Sequence, residues 1–277
     1  KDTATGLTAS GSVYPKAASG PTYTRTLPLL IASASKWIYG SYVVEKTATL
    51  GANGVWEIPK QYVPFLNFTS GYTNMTVASC PSAETPTVKD CMNKTNGTVT
   101  NGTINPRDVG YFAYNGGHMQ VFGGGGDPVI GDANGDALST AKVFGSSITN
   151  TFKSRGVNAE ILFSSPMPAG GGFLSAQNYA YLLQGIIRDN SPLVMKYFLR
   201  PIGSNPYAVC TSTTDPTCVD ANGKRFSHGT PVPSNVSWHY SVGHWIESDP
   251  ATGDGAYSSA GAFGFYPWID STKKYYG

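Results

Sequence analysis

Ile31-Ala-Ser-Ala-Ser-Lys-Trp-Ile38 holds a serine and a lysine three positions apart, Ser33 and Lys36, at the head of an apolar stretch. Residues i and i+3 lie one helical turn apart on the same face. With Ser33 at the helix N-terminus, its hydroxyl points into the positive end of the helix dipole. A lysine amine beside that hydroxyl gives up its proton when it is desolvated or near other cations, and can then take the proton of the serine. Nucleophile and base thus fit within four residues. The pattern is short, however, and most occurrences are an exposed helix start with a solvated lysine, so the rest of the chain decides its meaning.

Working outward, Ser33 to about Thr47 reads as a helix, with Trp37, Ile38 and Val44 on its buried face and Gly51 just past its end. Upstream, Ser12-Val-Tyr14 and Tyr23-Thr-Arg-Thr26 have strand composition. Downstream, Tyr62-Val-Pro-Phe-Leu66 is a short helical or extended segment. Residues 137–154 carry a helical pattern, and Ser175 to about Asp189 a stronger one through Tyr179, Leu182, Leu183, Ile186 and Ile187. The four glycines Gly123–Gly126 are not followed by Gly-Lys-Ser/Thr, so they read as a flexible turn and not as a phosphate cradle. Tyr240–Ile246 and Gly261–Ile269 read as strands. A helix-rich middle between β-rich ends predicts an α+β protein with an antiparallel sheet built from both chain ends. Residues 1–277 are expected to form one unit, its sheet in about 1–60 and 236–277, its helices and loops in about 61–235.

The 277 residues include 33 Gly and 19 Pro, with only 13% charged, which describes a loop-rich compact chain. A net charge of +2 without any Lys/Arg run argues against nucleic acid or an anionic membrane surface as a partner. No apolar run approaches the length of a membrane span. The start at Lys1, with no signal-peptide pattern, suggests a mature or trimmed form. Four cysteines form two local pairs, Cys80 with Cys91 and Cys210 with Cys218, each flanking a short polar stretch. Two disulfides and an oxidising compartment, secreted or periplasmic, are the favoured reading. Six Asn-x-Ser/Thr sequons, at Asn67, Asn74, Asn93, Asn96, Asn101 and Asn235, fit secretion without proving it.

Other chemistries score poorly. There is no Gly-x-Ser-x-Gly elbow. The histidines His118, His228, His239 and His244 lack metal-ligand spacing, and Asp132-Ala-Asn-Gly-Asp136 starts like a calcium loop but continues with Ala137 and Val143 where glycine and glutamate belong. No metal and no cofactor are expected. Two further segments suit serine chemistry. Tyr114, in Tyr111-Phe-Ala-Tyr-Asn-Gly-Gly-His118, can relay a proton to a leaving group. Ser258-Ser-Ala-Gly-Ala-Phe-Gly264 has the small side chains that let strand amides reach a substrate oxyanion.

In sequence order, Ser33-Ala-Ser-Lys-Trp-Ile38, Phe65-Leu-Asn-Phe-Thr-Ser-Gly71, Tyr111–Gly117, Gly170-Gly-Gly-Phe-Leu-Ser175 and Gly261-Ala-Phe-Gly-Phe265 resemble segments of the penicillin-binding-protein and class C β-lactamase-like serine hydrolases. Family VIII carboxylesterases and 6-aminohexanoate-dimer hydrolases belong to that group. The resemblance spans roughly residues 10 to 270. It implies a β-lactamase/transpeptidase-like fold, with Ser33 as nucleophile, Lys36 as its base and Tyr114 as proton shuttle. It also implies an oxyanion hole of the Ser33 and Ser259 amides, with Asn115 and Gly261 on the substrate wall. Two positions depart from the family pattern. Its Tyr-x-Asn reads Tyr114-Asn-Gly116, and its Lys-Thr-Gly aligns with Ala256-Tyr-Ser258, which has no cation to hold a substrate carboxylate. The expected substrate is therefore an uncharged small-molecule ester or amide. A β-lactamase or DD-peptidase is the alternative, and a non-catalytic binding protein of the same fold is the second. Oligomeric state is left open.

Overall fold

The helix that begins with Ser35 is buried almost all round, Trp37, Ile38, Tyr39, Tyr42, Val43 and Val44 included, which makes it the axis of the molecule and not an amphipathic surface helix. The computed structural model describes residues 23–76, 80, 86–127, 131 and 134–277. In chain order come β1 (Leu29–Leu30), a 3₁₀ turn (Ala32–Ala34), α1 (Ser35–Thr47), β2 (Thr49–Leu50) and β3 (Trp56–Glu57). The one-turn helix α2 (Val63–Leu66), α3 (Val88–Asn93), β4 (Thr95–Asn96), β5 (Val99–Thr100), β6 (Phe112–Ala113) and α4 (Gly117–Gly124) follow. Next are α5 (Ala141–Ser154), β7 (Phe173–Leu174) and α6 (Ala176–Ile187). The chain closes with β8 (Val209–Cys210), β9 (Ser227–Gly229), β10 (His239–Ser241), β11 (His244–Ile246), β12 (Tyr257–Ser258) and β13 (Trp268–Ile269).

The main sheet has the order β13-β12-β11-β10-β8 and is antiparallel throughout. One face lays His244 on Trp37 of α1, ring centroids 5.5 Å apart. The other turns Tyr240 and Trp245 toward Phe68, Phe112 and Tyr114. That division follows from the two-residue period of a strand. The β10–β11 turn rests directly on α1, where a Cβ on Gly40 would collide with the Val242 carbonyl. β1 pairs with β7, Leu29 opposite Leu174, so the strand entering the Ser33 turn is tied to the chain that starts α6. Both disulfides form, Cys80–Cys91 and Cys210–Cys218. No helix among the described residues is long and apolar enough to cross a membrane.

Several expectations are revised. Among the described residues the five-stranded sheet is drawn wholly from 209–269; Ser12–Tyr14 lies outside them, and Tyr23–Thr26 leads into a turn. The glycine run is not a free turn. Gly123 and Gly124 complete α4, where side chains would meet Tyr39 and Met92, and only Gly125 (φ 67°) leaves the helix. Gly261–Gly264 is a hairpin turn, and the strand before it is Tyr257–Ser258, four residues upstream of the expected Gly261–Phe265. Asp132 and Ala133 lie outside the described residues, while Asp136 is buried and accepts the Tyr42 hydroxyl. The sequons divide: Asn67 and Asn101 are buried, and the Asn101 amide donates to the Cys91 carbonyl at 2.8 Å, whereas Asn93 and Asn235 are exposed.

Candidate active site

Ser33 sits in the 3₁₀ turn that feeds α1, after Ala32, whose φ of 44° is in the left-handed region that side chains avoid. The turn is pinned on three sides. The Ser35 hydroxyl donates to the Ala32 carbonyl at 2.6 Å and accepts from the Gly172 amide at 2.9 Å. The Ile31 amide donates to the Gly172 carbonyl at 3.0 Å, and the Tyr179 hydroxyl to the Ala34 carbonyl at 2.9 Å. With its neighbours so held, Ser33 presents its hydroxyl at the α1 N-terminus without backbone freedom.

Lys36 is 4% exposed. Its Nζ lies 2.8 Å from Ser33 Oγ and 2.9 Å from the carbonyl oxygen of Ala169, and 4.7 Å from the centre of the Tyr114 ring. Neither ion pair among the described residues involves it. Burial without a carboxylate destabilises the ammonium and brings its pKa down from 10.5 to about 7. Near neutral pH a large share of Lys36 is then free amine, within hydrogen-bond distance of both the Ser33 hydroxyl and the Ala169 carbonyl.

Tyr114 follows β6 and stacks on Trp245, centroids 5.2 Å apart, with its hydroxyl near the Ser33 and Trp245 side chains. Burial pushes the phenol up to about 12, outweighing those hydrogen bonds, so at neutral pH it is a protonated donor and not a phenolate. Sequence reasoning missed the two residues that hold this tyrosine. Trp245 carries no motif. His118 lacks metal-ligand spacing and shows no other sign in the sequence, but it is buried, stacked on Phe68 at 5.0 Å, and lies 2.8 Å through Nε2 from the Ala113 carbonyl. A carbonyl only accepts, so Nε2 carries the hydrogen and Nδ1 accepts the Ser70 hydroxyl at 2.6 Å. Burial brings His118 down to about 4, which keeps it neutral at working pH. No pattern of spacing announces such a brace; its partners are a backbone oxygen and a serine 48 positions away.

The opposite wall departs from expectation. Ser259 does meet Ser33, its hydroxyl donating to the Ser33 carbonyl at 3.3 Å. Its amide, however, donates to the Pro267 carbonyl at 3.1 Å, and that of Gly261 to Phe265 at 2.8 Å, because both belong to the hairpin that continues β12 into β13. The Ala260 amide between them donates to no backbone carbonyl among the described residues. Gly261 instead lies flat on the Ile31 carbonyl, where no Cβ would fit. Asn115 is also elsewhere: its Oδ1 accepts from the Gly117 amide at 2.8 Å to cap α4, and its amide donates to the Met75 carbonyl at 3.3 Å. Ala256, which the sequence resemblance aligns with a cation, is buried.

No protein-family model and no curated protein matches the sequence. Solved structures do match the fold. A proposed β-lactamase from Bacteroides dorei DSM 17855 superposes with a TM-score of 0.51 and 19% identity, over 92% of this chain and 77% of that one. A β-lactamase from Mycobacterium bovis gives 0.50 and 11%, over 90% and 77%. With its central helix, its antiparallel sheet and the Ser33–Lys36 turn between them, the chain has the β-lactamase/transpeptidase-like fold.

Proposed function

We propose that the protein is a serine hydrolase that cleaves uncharged carboxylic esters, or amides, through an acyl-enzyme on Ser33. The observation that carries this is the unpaired, buried Lys36 amine 2.8 Å from the Ser33 hydroxyl. In acylation the Ser33 Oγ–H proton passes to the Lys36 amine as Oγ bonds to the substrate carbonyl carbon. The tetrahedral oxyanion is held by the amides of Ser33 and Ala260. As the carbon–leaving-group bond breaks, Tyr114 gives its proton to the departing oxygen or nitrogen and regains one from the Lys36 ammonium. Water then attacks the acyl carbon through the same relay, and the acid leaves as the Ser33 hydroxyl is restored. Ala256 leaves the wall without a charge for a substrate carboxylate, which disfavours β-lactams and peptide C-termini. The two disulfides support an oxidising compartment, extracellular or periplasmic.

A fluorophosphonate probe followed by peptide mass spectrometry tests the reading. Label on Ser33, absent in Ser33→Ala together with ester turnover, is expected. Active protein labelled at another residue overturns it, and turnover of nitrocefin exceeding that of esters moves the assignment to a β-lactamase.

A further inference from the structure

We infer that the Cys210–Cys218 disulfide positions Tyr114 through β9, so that full activity depends on oxidation of this cysteine pair; this rests on the serine-hydrolase reading above. β6, the strand that delivers Tyr114, has two residues, and among the described residues its only strand partner is β9. The two run parallel, with Phe112 opposite Ser227 and Ala113 opposite Gly229. The Phe112 amide donates to the Phe226 carbonyl at 2.7 Å, and the Tyr114 amide itself donates to the Gly229 carbonyl at 2.9 Å. Side chains add to the seam: His228 stacks on Tyr111, centroids 4.4 Å apart, and its Nδ1 lies 3.0 Å from a carboxylate oxygen of Asp108. So short a strand has little stability of its own, and the backbone of Tyr114 is placed only as well as β9 is.

β9 lies in the excursion between β8 and β10, residues 211–238. That excursion turns back on itself from Cys218 to Phe226, with Val219 bridged to Arg225 and the Phe226 amide donating to the Cys218 carbonyl at 3.0 Å. Cys218 is 1% exposed and is bonded to Cys210 on β8, an edge strand of the main sheet. The path from sheet to proton donor thus runs from β8 through the disulfide to Cys218, Phe226, Gly229 and Tyr114. The disulfide is the one covalent crosslink in the excursion. Hydrogen bonds do the rest, such as Arg225 Nη1 to the Asp215 carbonyl at 2.6 Å and the Thr211 hydroxyl to the Trp238 carbonyl at 2.7 Å. The Ser33 turn and Lys36 are held from elsewhere, by Gly172, Tyr179 and Ala169. Loss of the disulfide therefore loosens the proton donor and spares the serine and lysine. In a reducing compartment the two cysteines stay thiols. A disulfide-bearing oxidoreductase closes the pair: the Cys210–Cys218 S–S bond forms as its own disulfide takes up the two electrons and two protons. Cys210 also lines a cavity of about 430 Å³ with Thr217 and Phe226, which leaves room beside the bond for a thiol reagent.

The test compares two acetate esters: p-nitrophenyl acetate, whose leaving group departs as an anion, and benzyl acetate, whose alkoxide must be protonated. In the double variant Cys210→Ala/Cys218→Ala, kcat/KM for benzyl acetate should fall about 30- to 100-fold, the order expected from a misplacement of about 1 Å. That for p-nitrophenyl acetate should fall no more than about threefold, with Ser33 still labelled by a fluorophosphonate. In a Tyr114→Phe background the same pair of changes should cost nothing further on benzyl acetate. Losses that are absent, equal on both esters, or additive with Tyr114→Phe overturn this inference and leave the Ser33 chemistry intact. If the double variant does not fold, wild-type protein titrated with dithiothreitol gives the same readout. The benzyl/p-nitrophenyl ratio should then fall in step with opening of Cys210–Cys218, mapped by alkylation and peptide mass spectrometry, and return on reoxidation; a constant ratio overturns the inference. Wild-type protein that turns over neither ester, with Ser33 unlabelled, overturns the hydrolase reading and this one with it.

Discussion

Replacing Lys36 by methionine keeps most of the side-chain stem and removes the amine, and its effect on stability has a calculable pH dependence. In the unfolded chain the lysine titrates at 10.5, and in the folded protein at about 7. Between those values the unfolded state binds one more proton than the native state, so wild-type stability rises with pH at about 1.4 kcal/mol per pH unit. Below about pH 7 both states are protonated, and above 10.5 both are neutral, so the contribution is flat outside the window. The methionine variant lacks this slope. Its stability relative to wild type is therefore greatest in acid, and the gap should close by roughly 2–3 kcal/mol from pH 6 to pH 9. Lost hydrogen bonds to Ser33 and Ala169 shift the gap by a constant and leave its slope unchanged. Urea unfolding of both proteins at pH 6, 7, 8 and 9, with disulfides intact, measures it. Parallel stability curves would refute the argument that burial depresses the Lys36 amine.

The same amine should govern the rate. On the proposed mechanism its neutral form is the base, so kcat/KM for an ester should climb through an apparent pKa near 7 and level off above it; a profile flat from pH 5 to 9 contradicts the assignment. Tyr114→Phe should lower kcat by about 10²- to 10⁴-fold, with the largest loss for poor leaving groups, measured across phenyl esters of graded leaving-group acidity. Glu45, buried on α1, accepts from the Met195 amide at 2.9 Å, yet desolvation outweighs this and its 3.6 Å pairing with Arg155, and raises its pKa to about 7. Its folded pKa is above the unfolded one, so the stability it contributes is present below pH 4.5 and lost as pH rises through about 7. Glu45→Gln should accordingly gain about 1–3 kcal/mol on wild type between pH 5 and pH 8, as read by denaturant titration.

Local spacing made much of this legible. Ser33 and Lys36 are readable as a pair because a helix dictates where i+3 falls, and α6 because Tyr179, Leu182, Leu183 and Ile186 keep one stripe buried. What spacing could not show is decided by distant contacts. α3 has six residues, too few for a period, and its only local sign is the Thr87–Asp90 capping box. The glycines that end α4 read as a turn until Tyr39 and Met92 are seen to occupy the space a side chain needs. The small residues 258–264 marked the right wall, but hairpin register determines which amides of that stretch are already engaged. Lys36 owes its acidity to being surrounded, and nothing in a four-residue motif states what surrounds it.

Ala32 has a consequence of its own. A left-handed alanine costs roughly 1–2 kcal/mol relative to glycine in the native state. Glycine, by contrast, brings an unfolded-chain entropy penalty of about 0.4–1 kcal/mol. The two effects partly offset, so Ala32→Gly should leave overall stability unchanged or raise it by up to about 1.5 kcal/mol. Thermodynamic stability therefore gives little reason for a methyl group at this position. Its effect is on the breadth of the native basin: a methyl at φ 44° narrows the torsions open to the peptide that enters Ser33. On the proposed mechanism, the aim of Ser33 is thus set by restricting a neighbour's conformational entropy, at a small net cost to the fold.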